Sequence, residues 1–227
     1  MLIEWRLKNE SVIIKRNMDL FNTPESQEVL KDVVLLRRFV APMEHEVLPA
    51  LATVIDLAPL RHMMTPGGFA MSVATTSCGQ LGWVSDKKGY RYAVCDPLTG
   101  KAWPQMQASF KQLAKQAATM AGFDNFEPDA CLINRYEVGA RMGLHQDKDE
   151  RDFSQPIVSV SLGVPAMFQI GGFARADKAM KLPLYHGDVL VWGGESRLRF
   201  HGVLPVKAGE HPALGAYRIN LTFRKAG

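Results

Sequence analysis

The sequence predicts an α+β chain that is mainly β, with helices placed ahead of a β-sandwich or jelly roll. Three observations carry that reading. From residue 130 onward the chain breaks into short β-like runs separated by Gly and Pro: ACLINRYEV, RMGLHQD, IVSVSLGV, AMFQIGG, GDVLVWGG, RLRFHGVLP and AYRINLTFR. No helix-periodic stretch lies between them, which argues against a doubly wound α/β fold, where a helix separates successive strands. At 227 residues, with 47% hydrophobic and 22% charged composition, the chain is long enough to bury a full core within one domain.

The elements follow in order. The leader at 1–17, MLIEWRLKNESVIIKRN, sets Arg6, Lys8, Lys15 and Arg16 against Glu4 and Glu10 and so holds half of the formal +4 charge. A sequence pI of about 9.0 leaves room for a polyanionic partner without requiring one. Charges interrupt the leader every few positions, so it has neither the apolar core nor the small-residue cleavage site of a signal peptide. No apolar run elsewhere approaches the roughly 20 residues that span a bilayer. Cys78, Cys95 and Cys131 are odd in number and lack CxxC spacing, which argues against a disulfide framework and a thiolate zinc site. A cytoplasmic protein with no membrane partner is expected. Residues 33–39, VVLLRRF, read as a first strand, and MEHEVLPALATVIDL reads as a helix in which Pro49 is a first-turn residue or a kink. The clearer helix covers 107–122, where Phe110, Leu113, Ala114, Ala117 and Ala121 form one stripe and Gly122 offers a stop.

The chemistry concentrates in GLHQDKDE, residues 143–150. On a strand, side chains alternate faces, so His145 and Asp147 would point one way and Gln146 the other. His201, at the start of the run that follows RLRF, is the best placed third partner. Two imidazoles and one carboxylate on one face of an octahedral metal leave three positions open, the arrangement of non-heme Fe(II) oxygenases. A solvated polar pair and a core histidine would give the same pattern. Zinc hydrolysis is a further alternative, but neither HExxH nor a thiolate set is present. The last run adds support. In AYRINLTFR, Arg218, Asn220, Thr222 and Arg224 share one face and Ile219, Leu221 and Phe223 the other, so one side is a polar ladder with two guanidinium groups. The polar outer face of an edge strand would look alike. A dicarboxylic keto acid, however, calls for a fork-shaped cation at its distal carboxylate, and Asn134 with Tyr136 offers neutral donors two residues apart.

LHQDKDE, WGGESR followed by HG, and the terminal RxNLTFR together resemble the AlkB family of Fe(II)- and 2-oxoglutarate-dependent dioxygenases. MTPGGFAMSVA, CGQLGW, DACLINRY and PIVSVSLGVPAMFQ extend the similarity from about residue 60 to the end of the sequence. The resemblance implies a double-stranded β-helix (jelly roll) core over about 130–227, preceding helices, and a nucleotide-recognition segment over about 60–100, in one domain from 18 to 227. It implies Fe(II) held by His145, Asp147 and His201, and 2-oxoglutarate bound by Arg218 and Arg224 with Asn134, Tyr136 and Asn220. O2 is then the second cosubstrate. It implies oxidative demethylation of N-alkylated bases such as 1-methyladenine and 3-methylcytosine in single- or double-stranded DNA, with methylated RNA as the alternative substrate. A monomer is expected. A binding jelly roll without turnover stands as the reading from a different class.

The same resemblance places Trp83 as the residue on which a flipped base stacks, Tyr90 and Tyr92 near that nucleotide or its phosphate, and Arg175 at the substrate. Asp149 would face the same pocket if the strand continued, where an anion favours cationic lesions over neutral bases. Glu150 is expected to orient a neighbour. Phe69 and Thr75 stand where a close relative in the family has a tyrosine and a methionine, and Gly143 where it has a serine. The first 17 residues have no counterpart, and are read as an upstream start or a disordered basic arm.

Overall fold

The computed structural model describes residues 25–227; the leader at 1–17 lies outside the described residues. Two β-sheets carry the architecture. Among the described residues the larger has eight strands, in the order β1 (Ser26–Leu30), β2 (Val33–Leu36), β12 (Val189–Trp192), β9 (Ile157–Gly163), β14 (Arg218–Arg224), β7 (Ala130–Tyr136), β4 (Ala70–Gly79) and β3 (Arg61–Met64), and the smaller has four, in the order β11 (Met180–Leu184), β10 (Ala166–Ile170), β13 (His201–Val203) and β8 (Met142–His145). A separate two-stranded ribbon pairs β5 (Gly82–Asp86) with β6 (Gly89–Ala93).

β1 (Ser26–Leu30) and β2 (Val33–Leu36) form a hairpin turned by Asp32 at φ 58°. The run at 33–39, read as a first strand, is the second and ends at Leu36, with β1 ahead of it. Arg37 reaches Asp188 Oδ2 at 2.6 Å, and Arg38 enters the left-handed region at φ 53° while its N–H donates to Asp188 Oδ1, which ends the strand. A short 3-10 turn at Ala41–Met43 leads into α1 (Glu44–Leu57). Pro49 sits inside α1, beyond its first turn, and leaves the carbonyl of exposed His45 without its helical partner. Water can satisfy that oxygen. α2 (Ala108–Met120) buries Phe110, Leu113, Ala114 and Ala117 on the predicted stripe, and Gly122 at φ 86° stops it.

Each of the seven C-terminal runs contains a strand: β7 (Ala130–Tyr136), β8 (Met142–His145), β9 (Ile157–Gly163), β10 (Ala166–Ile170), β12 (Val189–Trp192), β13 (His201–Val203) and β14 (Arg218–Arg224). β11 (Met180–Leu184) has no counterpart among the runs. Its Pro183 argues against a strand, yet β11 is an edge paired only with β10, where a missing N–H is tolerated. Upstream, β3 (Arg61–Met64), β4 (Ala70–Gly79), β5 (Gly82–Asp86) and β6 (Gly89–Ala93) occupy the segment of the recognition reading.

Strand alternation gives the large sheet two different faces. Val158, Val160 and Leu162 of β9, Ile219, Leu221 and Phe223 of β14 and Ile133 of β7 pack against α1 and α2. Phe110 meets the Phe223 ring edge-on at 5.8 Å between centroids. On the opposite face, Leu35, Leu190 and Trp192 join Phe168, Ile170, Leu182 and Leu184 of the small sheet in a second core. The polar set of β14 lies on this inner face. The reading of β14 as an edge is excluded: it runs between β9 and β7 with every residue buried.

Phe110→Ala removes a fully buried ring from the outer core and is expected to cost about 3–5 kcal/mol. Urea titration should show a lower midpoint at an unchanged slope.

Candidate metal and cosubstrate site

His145 closes β8, and His201 opens β13 as its direct register partner. The pairing then slips: Val203 faces Met142, so β8 carries one more residue than β13 over this interval. Such a bulge bends an edge strand and re-aims its side chains. Gly202 permits the close approach, because a Cβ there would lie 2.6 Å from the Met142 carbonyl. The two imidazole centroids are consequently 4.5 Å apart.

Asp147 arrives by a different route from the one its spacing suggests. β8 ends at His145, so pleat alternation does not set the direction of Asp147. Two buried arginines do. Arg224 Nη2 and Nε donate to Asp147 Oδ2 at 2.7 and 3.2 Å, and Arg197 Nη1 donates to the Asp147 carbonyl at 2.8 Å. One potential ligand atom from each of His145, Asp147 and His201 then lies within 4.8 Å of the others.

The donor chemistry fits a divalent metal. His145 Nδ1 pairs with the Gly143 carbonyl at 2.9 Å and His201 Nδ1 with the Arg199 carbonyl at 3.0 Å. A carbonyl only accepts, so each Nδ1 carries the proton and each Nε2 keeps its lone pair turned inward. Both Nε2 atoms stand 3.5 Å from an Asp147 oxygen. Burial opposes ionisation of Asp147, but Arg224, His145 and His201 outweigh it and hold the carboxyl well below its ordinary range. Burial also opposes a charge on His145, where the neighbouring Asp147 carboxylate wins and raises its pKa. His201 is lowered by burial and by His145.

Beside this triad the inner faces of β14, β7 and β9 are lined with polar groups. Arg218 is 1% exposed. Its Nη2 donates to Ser161 Oγ at 3.1 Å, while Nε and Nη1 have no partner among the described residues. Its guanidinium carbon lies 4.8 Å from the centre of the Tyr136 ring, and burial lowers its pKa. A buried cation with unpaired donors fits an anionic ligand. The side-chain oxygen of Asn134 is also unpartnered. Asn220 is used internally: its amide donates to Ser159 Oγ and the Val160 carbonyl, both at 2.9 Å, and its oxygen accepts from Thr222.

A cavity of about 670 Å³ joins His145, Asp147, His201, Asn134, Tyr136, Asn220 and Arg224 to Trp83, Tyr90, Asp149 and Arg175; Arg218 is not among its lining residues. Trp83 and Tyr90 stack at 5.5 Å with 14° between their planes, and Trp83 Nε1 donates to Asp149 Oδ2 at 3.0 Å. Trp83 is partly buried and packs at the margin of a small cluster of Met63, Val84 and Trp103. Arg175 donates to the Leu144 carbonyl and lies 5.2 Å from the Phe200 ring centre. Tyr92 is turned differently from Tyr90. Its hydroxyl donates to Glu150 Oε1 at 2.7 Å and accepts from Arg224 Nη1 at 3.2 Å. The sequence reading overlooked Arg197, which is 3% exposed and joins Glu150, Asp147 and Gln155. Its only signal was an arginine directly after WGGES.

The chain matches the model of the 2OG-Fe(II) oxygenase superfamily over residues 32–224. It is 54% identical to the alpha-ketoglutarate-dependent dioxygenase AlkB of Salmonella typhimurium, covering 92% of this chain and 98% of that relative. It belongs to the AlkB family. AlkB of Escherichia coli is similar at 52% identity over the same shares of the two chains. The solved structure of OsALKBH1 superposes with a TM-score of 0.77 at 29% identity, covering 88% of this chain and all of that one. This AlkB-family chain is therefore an Fe(II)- and 2-oxoglutarate-dependent dioxygenase, and its buried polar face is to be understood in those terms.

Two predictions follow from the geometry. Arg218→Lys replaces a fork by a point charge and is expected to weaken 2-oxoglutarate by about 1–3 kcal/mol, measured calorimetrically with Fe(II) under anaerobic conditions. Asp86 closes the hairpin of the ribbon that carries Trp83; hydrogen bonds from Arg91 and the Lys88 backbone hold its carboxyl at about 2. A lowered carboxyl stabilises the fold fully above its ordinary value near 3.8 and loses that effect as pH falls through about 2. The stability gap between wild type and Asp86→Asn should stay level from neutral pH to about 4 and shrink below it.

Proposed function

We propose that the chain reverses N-alkyl damage to DNA bases by oxidative demethylation. One observation carries the reading: the His145, Asp147 and His201 triad, a stacked Trp83–Tyr90 pair and the Asp149 carboxylate line a single cavity. The names of the bacterial relatives, AlkB dioxygenases, point the same way.

In this reading His145, Asp147 and His201 hold Fe(II), and Arg224 keeps the Asp147 carboxylate oriented and ionised. Arg218, with Tyr136 against its guanidinium, binds the distal carboxylate of 2-oxoglutarate, while Asn134, Asn220 and Arg224 complete that pocket. The bound iron and cosubstrate supply oxidative decarboxylation with O2, giving succinate, CO2 and a hydroxylated N-alkyl carbon. A methyl group so hydroxylated leaves as formaldehyde, and the ring nitrogen is restored. The flipped base loses its neighbours in the strand, and the indole of Trp83 replaces their stacking. Asp149 favours cationic bases such as 1-methyladenine and 3-methylcytosine, and its bond to Trp83 Nε1 fixes the indole plane. Arg175, which also lines the cavity, contacts the substrate. The protein acts as a cytoplasmic monomer; among the described residues no helix is long and apolar enough to cross a membrane.

The test is an assay of methylated DNA and RNA oligonucleotides with Fe(II), 2-oxoglutarate and O2, scored for formaldehyde and for the restored base. Demethylation of DNA supports the reading, and exclusive activity on RNA overturns its substrate. Asp149→Asn keeps a hydrogen-bond acceptor for Trp83 and removes the charge. It should reduce kcat/KM on 1-methyladenine by about 10-fold relative to 3-methylthymine, in line with about 1.4 kcal/mol of lost attraction. Equal losses on both bases would remove charge discrimination from Asp149.

A further inference from the structure

The ribbon of β5 and β6 is a separate sheet. Val84 packs with Met63 and Trp103, Ser85 donates to the Met64 carbonyl at 2.7 Å, and Trp103 Nε1 donates to the Ala93 carbonyl at 2.9 Å. Trp83 and Tyr92 are direct cross-strand partners and so project from one face. Trp83 bonds Asp149, and Tyr92 bonds the next residue, Glu150. The face that presents the indole is therefore tied to the segment just past the metal carboxylate.

Glu150 makes this tie more than a surface latch. Its side chain is 2% exposed and is bracketed by Arg197 at 3.1 Å and Arg224 at 3.3 Å. A buried carboxylate held this way keeps a defined position, because leaving either charge without its partner in the interior is costly. Arg224 in turn grips Asp147 through Nη2 and Nε and gives Nη1 to the Tyr92 hydroxyl. One guanidinium thus touches the metal carboxylate and the base-stacking ribbon at once.

We propose that Tyr92 is a positioning residue that makes 2-oxoglutarate binding and docking of the Trp83 ribbon mutually dependent through Arg224 and Glu150. The inference rests on the demethylase reading for what Trp83 stacks against, and on the family's cosubstrate for what engages Arg224. When Arg224 and Asp147 are fixed by ligands, the donor offered to Tyr92 is fixed as well, and the ribbon is held with its indole over the cavity. When Arg224 moves, Tyr92 loses one of its two partners. Linkage makes the effect reciprocal: a base that orders the ribbon must tighten 2-oxoglutarate by the factor by which 2-oxoglutarate tightens the base.

The test uses the full chain with Fe(II) in the absence of O2. Amide exchange of Gly89–Ala93 is followed with and without 2-oxoglutarate, and no nucleic acid is needed. The wild type is expected to gain about fivefold or more protection, at the low end of usual site-to-site coupling, and Tyr92→Phe to gain little. In parallel, the 2-oxoglutarate Kd is measured with and without a methylated single-stranded oligonucleotide. The ratio should exceed about fivefold in the wild type and approach one in Tyr92→Phe. A merely structural Tyr92 would shift both constants and leave their ratio alone. Glu150→Gln, which keeps the shape and weakens the acceptor, should give an intermediate ratio. Exchange that ignores 2-oxoglutarate in the wild type, or a Tyr92→Phe response equal to the wild type, overturns the coupling. Failure of the oligonucleotide to bind or be demethylated, with the exchange response intact, instead overturns the demethylase reading.

Discussion

The pairing of Arg224 with Asp147 is the constraint on which the site depends. A carboxylate buried between two imidazoles would lose its charge to desolvation if nothing opposed it. Arg224 opposes it at 2.7 Å, from a strand every residue of which is buried. The guanidinium is itself expensive to bury, and three groups share that cost: Asp147, Glu150 and the Tyr92 hydroxyl. None of these charges is tolerable alone. Together they form a closed polar cluster in which the metal carboxylate keeps both its charge and its direction.

The fold can carry such a cluster because the large sheet divides its tasks between faces. Its outer face is apolar and covered by two helices, and the ring contact of Phe110 with Phe223 belongs to that layer. At its β2 and β12 end the inner face packs on the small sheet in a second apolar core. Along β9, β14, β7 and β4 it turns polar, with Ser159, Ser161, Asn134, Thr222, Thr75 and Ser77 buried. Stability is drawn from both cores, which leaves the buried donors of Arg218 free to be incompletely satisfied. A residue such as Phe223 has no chemistry, yet its alternation with Thr222 and Arg224 is what directs those two inward.

Legibility in the sequence followed the same division. Period-two alternation in RINLTFR revealed both faces of β14, since the strand is regular through all seven residues. Its central place was not legible: a polar face reads as solvated when the opposing sheet is unknown. The spacing of His145 and Asp147 suggested the right partners through the wrong geometry, because β8 ends at His145 and tertiary hydrogen bonds from Arg224 and Arg197 aim Asp147. β11 was hidden by Pro183, and the run at 33–39 overreached because Asp188, distant in sequence, captures Arg37 and the Arg38 N–H. Tyr90 and Tyr92 look equivalent in GYRY. They differ because one is 50% exposed beside Trp83 and the other meets Glu150, a contact between residues 58 positions apart.

Those last two tyrosines give one short ribbon two kinds of contact. Both lie on β6, two residues apart, and so share the face that looks toward the cavity. Their contacts differ: Tyr90 extends the aromatic surface of Trp83, whereas Tyr92 enters the polar cluster. A ribbon of two strands is marginally stable by itself, so its position is set by what its side chains grip. Here the gripped residues are Asp149 and Glu150, directly after the segment that delivers Asp147. The acids of HQDKDE therefore act in sequence along the chain: the first faces the two imidazoles, the second holds the indole, and the third anchors the ribbon to the arginines behind it.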